Sequence, residues 1–205
     1  MTVTSIARLA YHSGDAADDV ARFVEGQAGR RAAEDFIAGI FAQHYGARLP
    51  GFMPELMTLA RDGSVKAAVG IRSARDPLFL ERYLDEPIES AIERIAGRSV
   101  PRRAIAEVGQ LAADRPGAGT ALMLNLPRHL ATSGHEWMVF TATEELRGIF
   151  VRMGLPLLTI AHADASRLGD DADAWGCYYD HHPLVVCASV SDAMRRLSRM
   201  NGNTR

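Results

Sequence analysis

Cys177 and Cys187 are the only cysteines in 205 residues. Two thiols make no disulfide framework and match no zinc spacing, so a stapled secreted scaffold and a zinc module are both disfavoured. Both read as reduced thiols; Cys177 has no histidine base in its sequence context and is expected in the core. Charge of one sign is also lacking. The 23 Lys and Arg stand against 25 Asp and Glu, a net charge of −2 without a basic block, which disfavours a general nucleic-acid surface. No stretch approaches the roughly 18 to 20 consecutive apolar residues of a membrane span. Met1 to Tyr11 lacks the basic-then-apolar pattern of a signal peptide, so a cytoplasmic protein without stable membrane insertion is expected. Repeats and low-complexity tracts are absent.

What is present is ordinary globular material. Apolar residues make up 47% and charged residues 23%, enough for one domain over 1–205 with a substantial core. Residues 3–11 read as a strand, broken and capped by Ser13-Gly14-Asp15. Val20, Phe23, Val24, Phe36, Ile37, Ile40 and Phe41 recur at helical spacing, and Gly26 and Gly29 divide that stretch into two helices. A Gly/Pro loop spans 45–54. Leu56–Arg61 and Val65–Arg72 flank Asp62-Gly63, a hairpin signal. Helices are expected at 79–84 and 88–96, strands at 105–113, 137–142, 155–161 and 184–190, and helices at 117–133 (bent at Pro127), 144–153 and after 190. Hairpin first, then strand–helix–strand–helix–strand, is an α/β (α+β) order: a mixed, mainly antiparallel sheet flanked by helices. The segments are 1–54, 55–100, 101–190 and 191–205.

The richest stretch is the strand 104–113 running into Asp114-Arg-Pro-Gly-Ala-Gly119 and a helix. A strand that delivers a glycine turn onto a helix start gathers first-turn amides and the positive end of a dipole toward one point, an anion cradle. Gly117, Ala118, Gly119 and Thr120 form it, with Arg115 as charge partner. Glu107 sits mid-strand among Ile105, Val108 and Leu111. It reads either as a carboxylate whose burial raises its pKa, a general base for an amine, or as a solvated or arginine-paired strand residue. Gly109 signals a bulge that frees an amide to polarise a carbonyl, or a packing glycine; a bulge also changes the face Gln110 presents. Asp180-His181-His182 looks like metal ligands only superficially, because neighbouring histidines on an extended segment point apart and no third ligand is identifiable. No metal is expected.

Several blocks in order carry a family likeness: Tyr45-Gly-Ala, Phe52-Met-Pro-Glu-Leu56, Leu78-Phe-Leu-Glu-Arg-Tyr-Leu-Asp85, Glu107-Val-Gly-Gln-Leu-Ala112, Phe140-Thr-Ala-Thr143 and Trp175-Gly-Cys-Tyr-Tyr179. They resemble the thermostable hemolysin family, and the strand–turn–helix–strand–helix half resembles the GNAT N-acyltransferase superfamily. The front half is similar in layout to the acyl-homoserine-lactone synthases. These resemblances imply a GNAT-like fold. They also imply an acyltransferase that moves an acyl group from a coenzyme A or acyl-carrier-protein thioester to a small-molecule amine. Its donor would be acyl-CoA or a phosphopantetheine-linked acyl group, and an acyl carrier protein a possible partner. The implied catalytic residues are Glu107, Gly109 and Gln110. The implied donor-binding residues are Leu111, Ala113, Arg115, Gly117, Ala118, Gly119 and Thr120. For the substrates, Arg48 and Arg72 offer charge, Thr141 and Thr143 hydroxyls (Thr143 also as a helix cap), and Tyr45, Phe79 and Trp175 aromatic walls. Two positions depart from the superfamily pattern: Asp114 opens the loop, where an acid repels a pyrophosphate unless it points away, and Phe150 stands where an acid tyrosine is frequent. A membrane-damaging protein, or a GNAT-like binding module without chemistry, are the competing readings.

Overall fold

The computed structural model describes residues 20–115 and 117–202. The strand expected at 3–11 and the cap at Ser13-Gly14-Asp15 lie outside them. Seven strands form one sheet in the order β1-β2-β3-β4-β5-β7-β6. β1 (Val20–Phe23) is an edge strand antiparallel to β2 (Glu55–Arg61), which pairs with β3 (Ser64–Ser73). β4 (Ile105–Ala113) is antiparallel to β3 and parallel to β5 (Trp137–Ala142). β7 (Leu184–Ser189) lies antiparallel between β5 and the outer β6 (Leu158–His162).

Val20 and Phe23 belong to this strand, not to a helix as their spacing suggested. Along Val20–Phe23 exposure alternates, a period of two that a four-residue stretch shares with a helical one, and pairing with β2 decides the matter. The helix begins at Gly26 and runs unbroken through Gly29 to Tyr45 as α1. Its inward stripe is Ala33, Ile37 and Phe41, spaced by four, and it ends when left-handed Gly46 donates its N–H to the Ala42 carbonyl. The Asp62-Gly63 turn joins β2 to β3 with both residues at positive φ, the backbone a two-residue hairpin requires. β6 starts at Leu158 rather than 155, because the amides of Gly154 and Leu155 still bond back into α4 (Glu144–Arg152).

Each face of the sheet carries its own core. On one side Ile37 and Phe41 of α1, Leu80 and Tyr83 of the 3-10 turn Phe79–Tyr83, and Ile88 and Ile92 of α2 (Ile88–Ala96) pack together. On the other, α3 (Ala118–Thr132, continuous through Pro127) contributes Leu122, Leu126 and Leu130, joined by Phe150 of α4 and Ala193 of α5 (Val190–Gly202). No helix among the described residues is long and apolar enough to cross a membrane.

The turn before α2 hangs on one ion cluster. Arg102 donates to both oxygens of Glu81, each at 2.6 Å, and to Glu89, also at 2.6 Å; Glu81 in turn accepts the Leu78 and Ile88 amides. Arg102 foremost holds the Glu81 carboxyl below its ordinary range, and burial holds His129 and His135 below theirs. All three bind protons more weakly folded than unfolded, so their stability is present at neutral pH and lost as pH falls. Melting temperature should decline below about pH 6.5 as the histidines charge and again below about pH 4.5. Burial acts oppositely on Glu107: it raises the pKa, so this group's stability grows as pH falls from the raised value to about 4.5 and offsets part of the decline in that upper window only. Glu81→Gln should melt lower at pH 7 and flatten the decline below about pH 5; an acid limb identical to the parent's would refute the assignment.

Candidate active site

β4 and β5 stay paired for three rungs only, Ile105↔Trp137 to Glu107↔Val139. Beyond that rung each strand is held from its outer side, β4 by β3 as far as Ala113 and β5 by β7 as far as Ala142. The inner edges therefore part. Residues 108–113 of β4 have no ladder partner on the β5 side, and a cleft of about 480 Å³ opens there. Its walls come from both cores: Phe41, Tyr45 and Trp175 from the α1 face, Met123, Phe140 and Phe150 from the α3 face. The cleft thus passes through the sheet.

A bulge lies at its rim. Between two paired positions β3 advances two residues, Ala68 to Gly70, while β4 advances three, Gly109 to Ala112. The residue with the left-handed backbone is Gln110 (φ 55°), not Gly109. That conformation turns the Gln110 side chain onto the loop before β2: its Nε2 donates to the Gly51 carbonyl at 2.7 Å and its Oε1 accepts the Met53 amide at 3.2 Å. Gly109 has a packing reason of its own. It faces Gly70 across the ladder, and a Cβ built on it would meet Met53 Cε at 2.6 Å. Gln110→Ala should release this loop, costing ~1–2 kcal/mol and increasing protease cleavage within 50–54. Cleavage at the parent's rate would show that the loop is held by other contacts, such as Arg30 on the Met53 and Pro54 carbonyls.

Glu107 occupies the last paired rung, opposite Arg72 on β3. It is buried, at 3% exposure, and both oxygens accept backbone N–H groups of the 3-10 turn, from Phe79 at 3.0 Å and Leu80 at 2.9 Å. Burial foremost raises its pKa, while those two amides and the Arg72 charge pull it down. A carboxylate has about four acceptor sites, so a lone pair on each oxygen stays available. Arg72 lines the cleft too and donates to the Pro77 carbonyl at 3.2 Å.

At the other end of β4 the expected turn is present. Gly117 (φ 90°) stands at the N-cap of α3 with no side-chain cap on the first turn. Leu111, Ala113, Arg115, Gly119 and Thr120 line the cleft with it. Ala118 does not; it is fully buried in the α3 core, because a helix start that offers amides to the cleft points its first side chain at the sheet. Asp114 is exposed, lies outside the cleft lining, and pairs with Lys66 at 3.4 Å, so the acid turns away from the turn.

The α1 side is aromatic. Tyr45 and Tyr178 meet edge to face at 5.2 Å, Trp175 lies 5.5 Å from Tyr178 and 5.3 Å from Phe79, and the Tyr178 hydroxyl donates to Thr141 Oγ1 at 3.1 Å. Burial, with Glu145 adding, pushes the Tyr45 hydroxyl up to about 12. Thr143 lines the cleft and also caps α4, accepting the Leu146 amide at 3.3 Å. Arg48 is the expected residue that falls away: it is exposed, outside the lining, and tied by its amide to the Ala174 carbonyl. Cys177 is exposed rather than in the core, whereas Cys187 is buried, its thiol raised to about 12. The 180–182 segment is a 3-10 turn ending in left-handed His182, not an extended strand. Met53 and Tyr178, singled out only as members of the family-like blocks 52–56 and 175–179, line the cleft too, and Glu145 lines it without a signal in the sequence: an acid in a helix's first turn reads as a dipole partner, and only the tertiary fold brings it to the cleft.

A family model described as thermostable hemolysin matches residues 23–194. Among solved structures, an N-acyl amino acid synthase from uncultured soil microbes, FeeM, is 16% identical with a TM-score of 0.58, over 87% of this chain and 94% of that one. The CoA-dependent acyl-homoserine lactone synthase MesI is 14% identical with a TM-score of 0.52, over 84% and 89%. A putative N-acetyltransferase from Lactobacillus plantarum is 12% identical with a TM-score of 0.52, over 84% and 98%. No curated protein matches. At such identities these likenesses speak to fold, and the fold is GNAT-like.

Proposed function

The chain belongs to the thermostable hemolysin family, and from that membership and the parted strands we propose that it is an acyltransferase carrying an acyl group from a thioester donor to a small-molecule amine. The parting of β4 from β5 after Glu107 is the observation that supports this most. A pantetheine arm is an extended chain of amides, and the unpaired edge at 108–113 offers it main-chain donors and acceptors in a strand's spacing. The glycine turn and uncapped start of α3 follow directly, where the donor's phosphate needs amides and a positive dipole end, with Arg115 alongside. Either coenzyme A or an acyl carrier protein supplies that arm, and the substrate's amine meets the acyl group within the cleft.

In this reading the amine nitrogen attacks the thioester carbonyl, the C–N bond forms, and a proton passes from nitrogen to the free lone pair of Glu107. The C–S bond then breaks, the thiolate takes up a proton from solvent, and Glu107 returns to solvent the proton it accepted. Phe150 supplies none, being an apolar ring packed 5.3 Å from Phe140. Main-chain amides beside the bulge at Gln110 bear on the oxyanion.

The test is free thiol released by pure protein from acyl-CoA and acyl-carrier-protein donors of graded chain length, with and without amines. A Cys177→Ser background keeps the exposed thiol from reacting with the reagent. Amine-dependent release from one donor class is expected. No release and no binding with any donor would end the acyltransferase reading.

A further inference from the structure

Two polar atoms in the cleft walls lack partners. Glu145 Oε1 and Trp175 Nε1 are both shut off from water without a hydrogen bond, and both side chains line the cleft. Trp175 is 8% exposed, so solvent does not supply the missing acceptor. Native interiors rarely leave an indole N–H and a carboxylate oxygen unpaired, and such an arrangement within a binding cleft points to partners that arrive with a ligand.

The two atoms have opposite needs. A carboxylate oxygen wants an N–H, best a charged one; an indole N–H wants an oxygen. Aromatic rings line the same cleft: Tyr45, whose phenol the Glu145 charge helps to raise, and Tyr178, in contact with both Tyr45 and Trp175. Aromatic faces beside a carboxylate favour an organic cation. Trp175, Tyr45 and Tyr178 come to this corner from the α1 side and Glu145 from the first turn of α4.

We propose that Glu145 and Trp175 form the recognition site for the acceptor, and that the acceptor is a primary amine also bearing an oxygen: it arrives with its ammonium on the Glu145 carboxylate and its oxygen on the Trp175 indole, and gives one proton to solvent before the neutral amine attacks. This rests on the acyltransferase reading for its biological use, while the site itself is testable without turnover. Amino alcohols and α-amino acids satisfy both atoms; simple alkylamines satisfy one.

The experiment follows the two indole N–H signals of the full-length protein in ¹H–¹⁵N spectra, assigned with Trp175→Phe. Probes are ethanolamine, serinol and the α-amino acids, against propylamine (no oxygen) and ethylene glycol (no amine). The Trp175 signal should move while that of Trp137 stays, at least tenfold more tightly for the best two-group probe than for either control. Glu145→Gln should weaken that binding at least tenfold. In the thiol-release assay the same substitution should raise KM for the amine while leaving KM for the donor in place, and Trp175→Phe should do likewise. A Trp175 signal unmoved by every probe, or equal binding by Glu145→Gln, overturns the proposal. Absence of thiol release with any donor would remove the acyltransferase reading and leave the spectra to decide the site.

Discussion

Gly176→Ala should lower the melting temperature by on the order of 10 °C, corresponding to ~3–5 kcal/mol for a chain of this size. Gly176 sits at φ 53°, ψ −130°, where a side chain is strained, and its would-be Cβ lies 2.0 Å from the Tyr45 carbonyl oxygen and 3.0 Å from the Gly46 carbonyl carbon. Those atoms are backbone and cannot swing aside. They also belong to the joint that holds the aromatic corner to α1: Cys177 donates its amide to the same Tyr45 oxygen at 2.9 Å, and Arg48 donates to Ala174 at 2.7 Å. Relief of the clash must move the backbone at 176 away from the Tyr45 carbonyl, displacing the adjoining Trp175, so the variant should also lose ligand response at the Trp175 indole. Gly39→Ala is the matched control. Gly39 is exposed inside α1 with nothing within 4 Å of a built Cβ, and the change should stabilise by up to about 1 kcal/mol. A Gly176→Ala protein melting within about 2 °C of the parent would show that this joint yields.

Glu107→Gln should fail twice. An amide presents N–H₂ where the carboxylate presents a second oxygen, so one of the Phe79 and Leu80 amides faces a donor instead of an acceptor, at a cost of ~2–4 kcal/mol. Turnover should fall at least ~100-fold if the lone pair that takes the amine proton is lost. The two losses separate by pH. Burial raises the Glu107 pKa, so the unprotonated base dominates only above the ordinary carboxylate value of 4.5, and activity should climb with pH through a limb displaced upward from it. The corresponding stability has the reverse sign: it is present at low pH and lost as pH rises through the raised pKa. Purely structural damage would lower kcat/KM without removing that limb. Full turnover in folded Glu107→Gln would strike Glu107 out as the base and leave it as the clamp on the 3-10 turn.

Much of this was legible along the chain. The hairpin turn at Asp62-Gly63, the limits of β4 and β5, and the glycine start of α3 each depend on a few adjacent residues, whose backbone preferences act locally. The errors fall where two periodicities coincide or where a partner strand arbitrates. Val20–Phe23 suits a helix or an edge strand until β2 is beside it. Gly109 announced an irregularity one residue from where it lies, because a bulge is a mismatch between two strands and the sequence of one does not state which residue absorbs it.

The sequence by itself determined the family, the class of fold, the strand that carries Glu107 and the turn that ends it. Only the tertiary structure decided that Asp114 turns to Lys66, that Gln110 latches a loop, that Arg48 stands outside, and that Glu145 and Trp175 line one cleft with an unpaired polar atom each. The reason is range: propensity, turn geometry and helix caps are settled within a few residues. The orientation of a side chain, the water it loses and the partner it finds depend on segments 30 to 130 positions away, which the chain brings together only when its two cores close on the sheet.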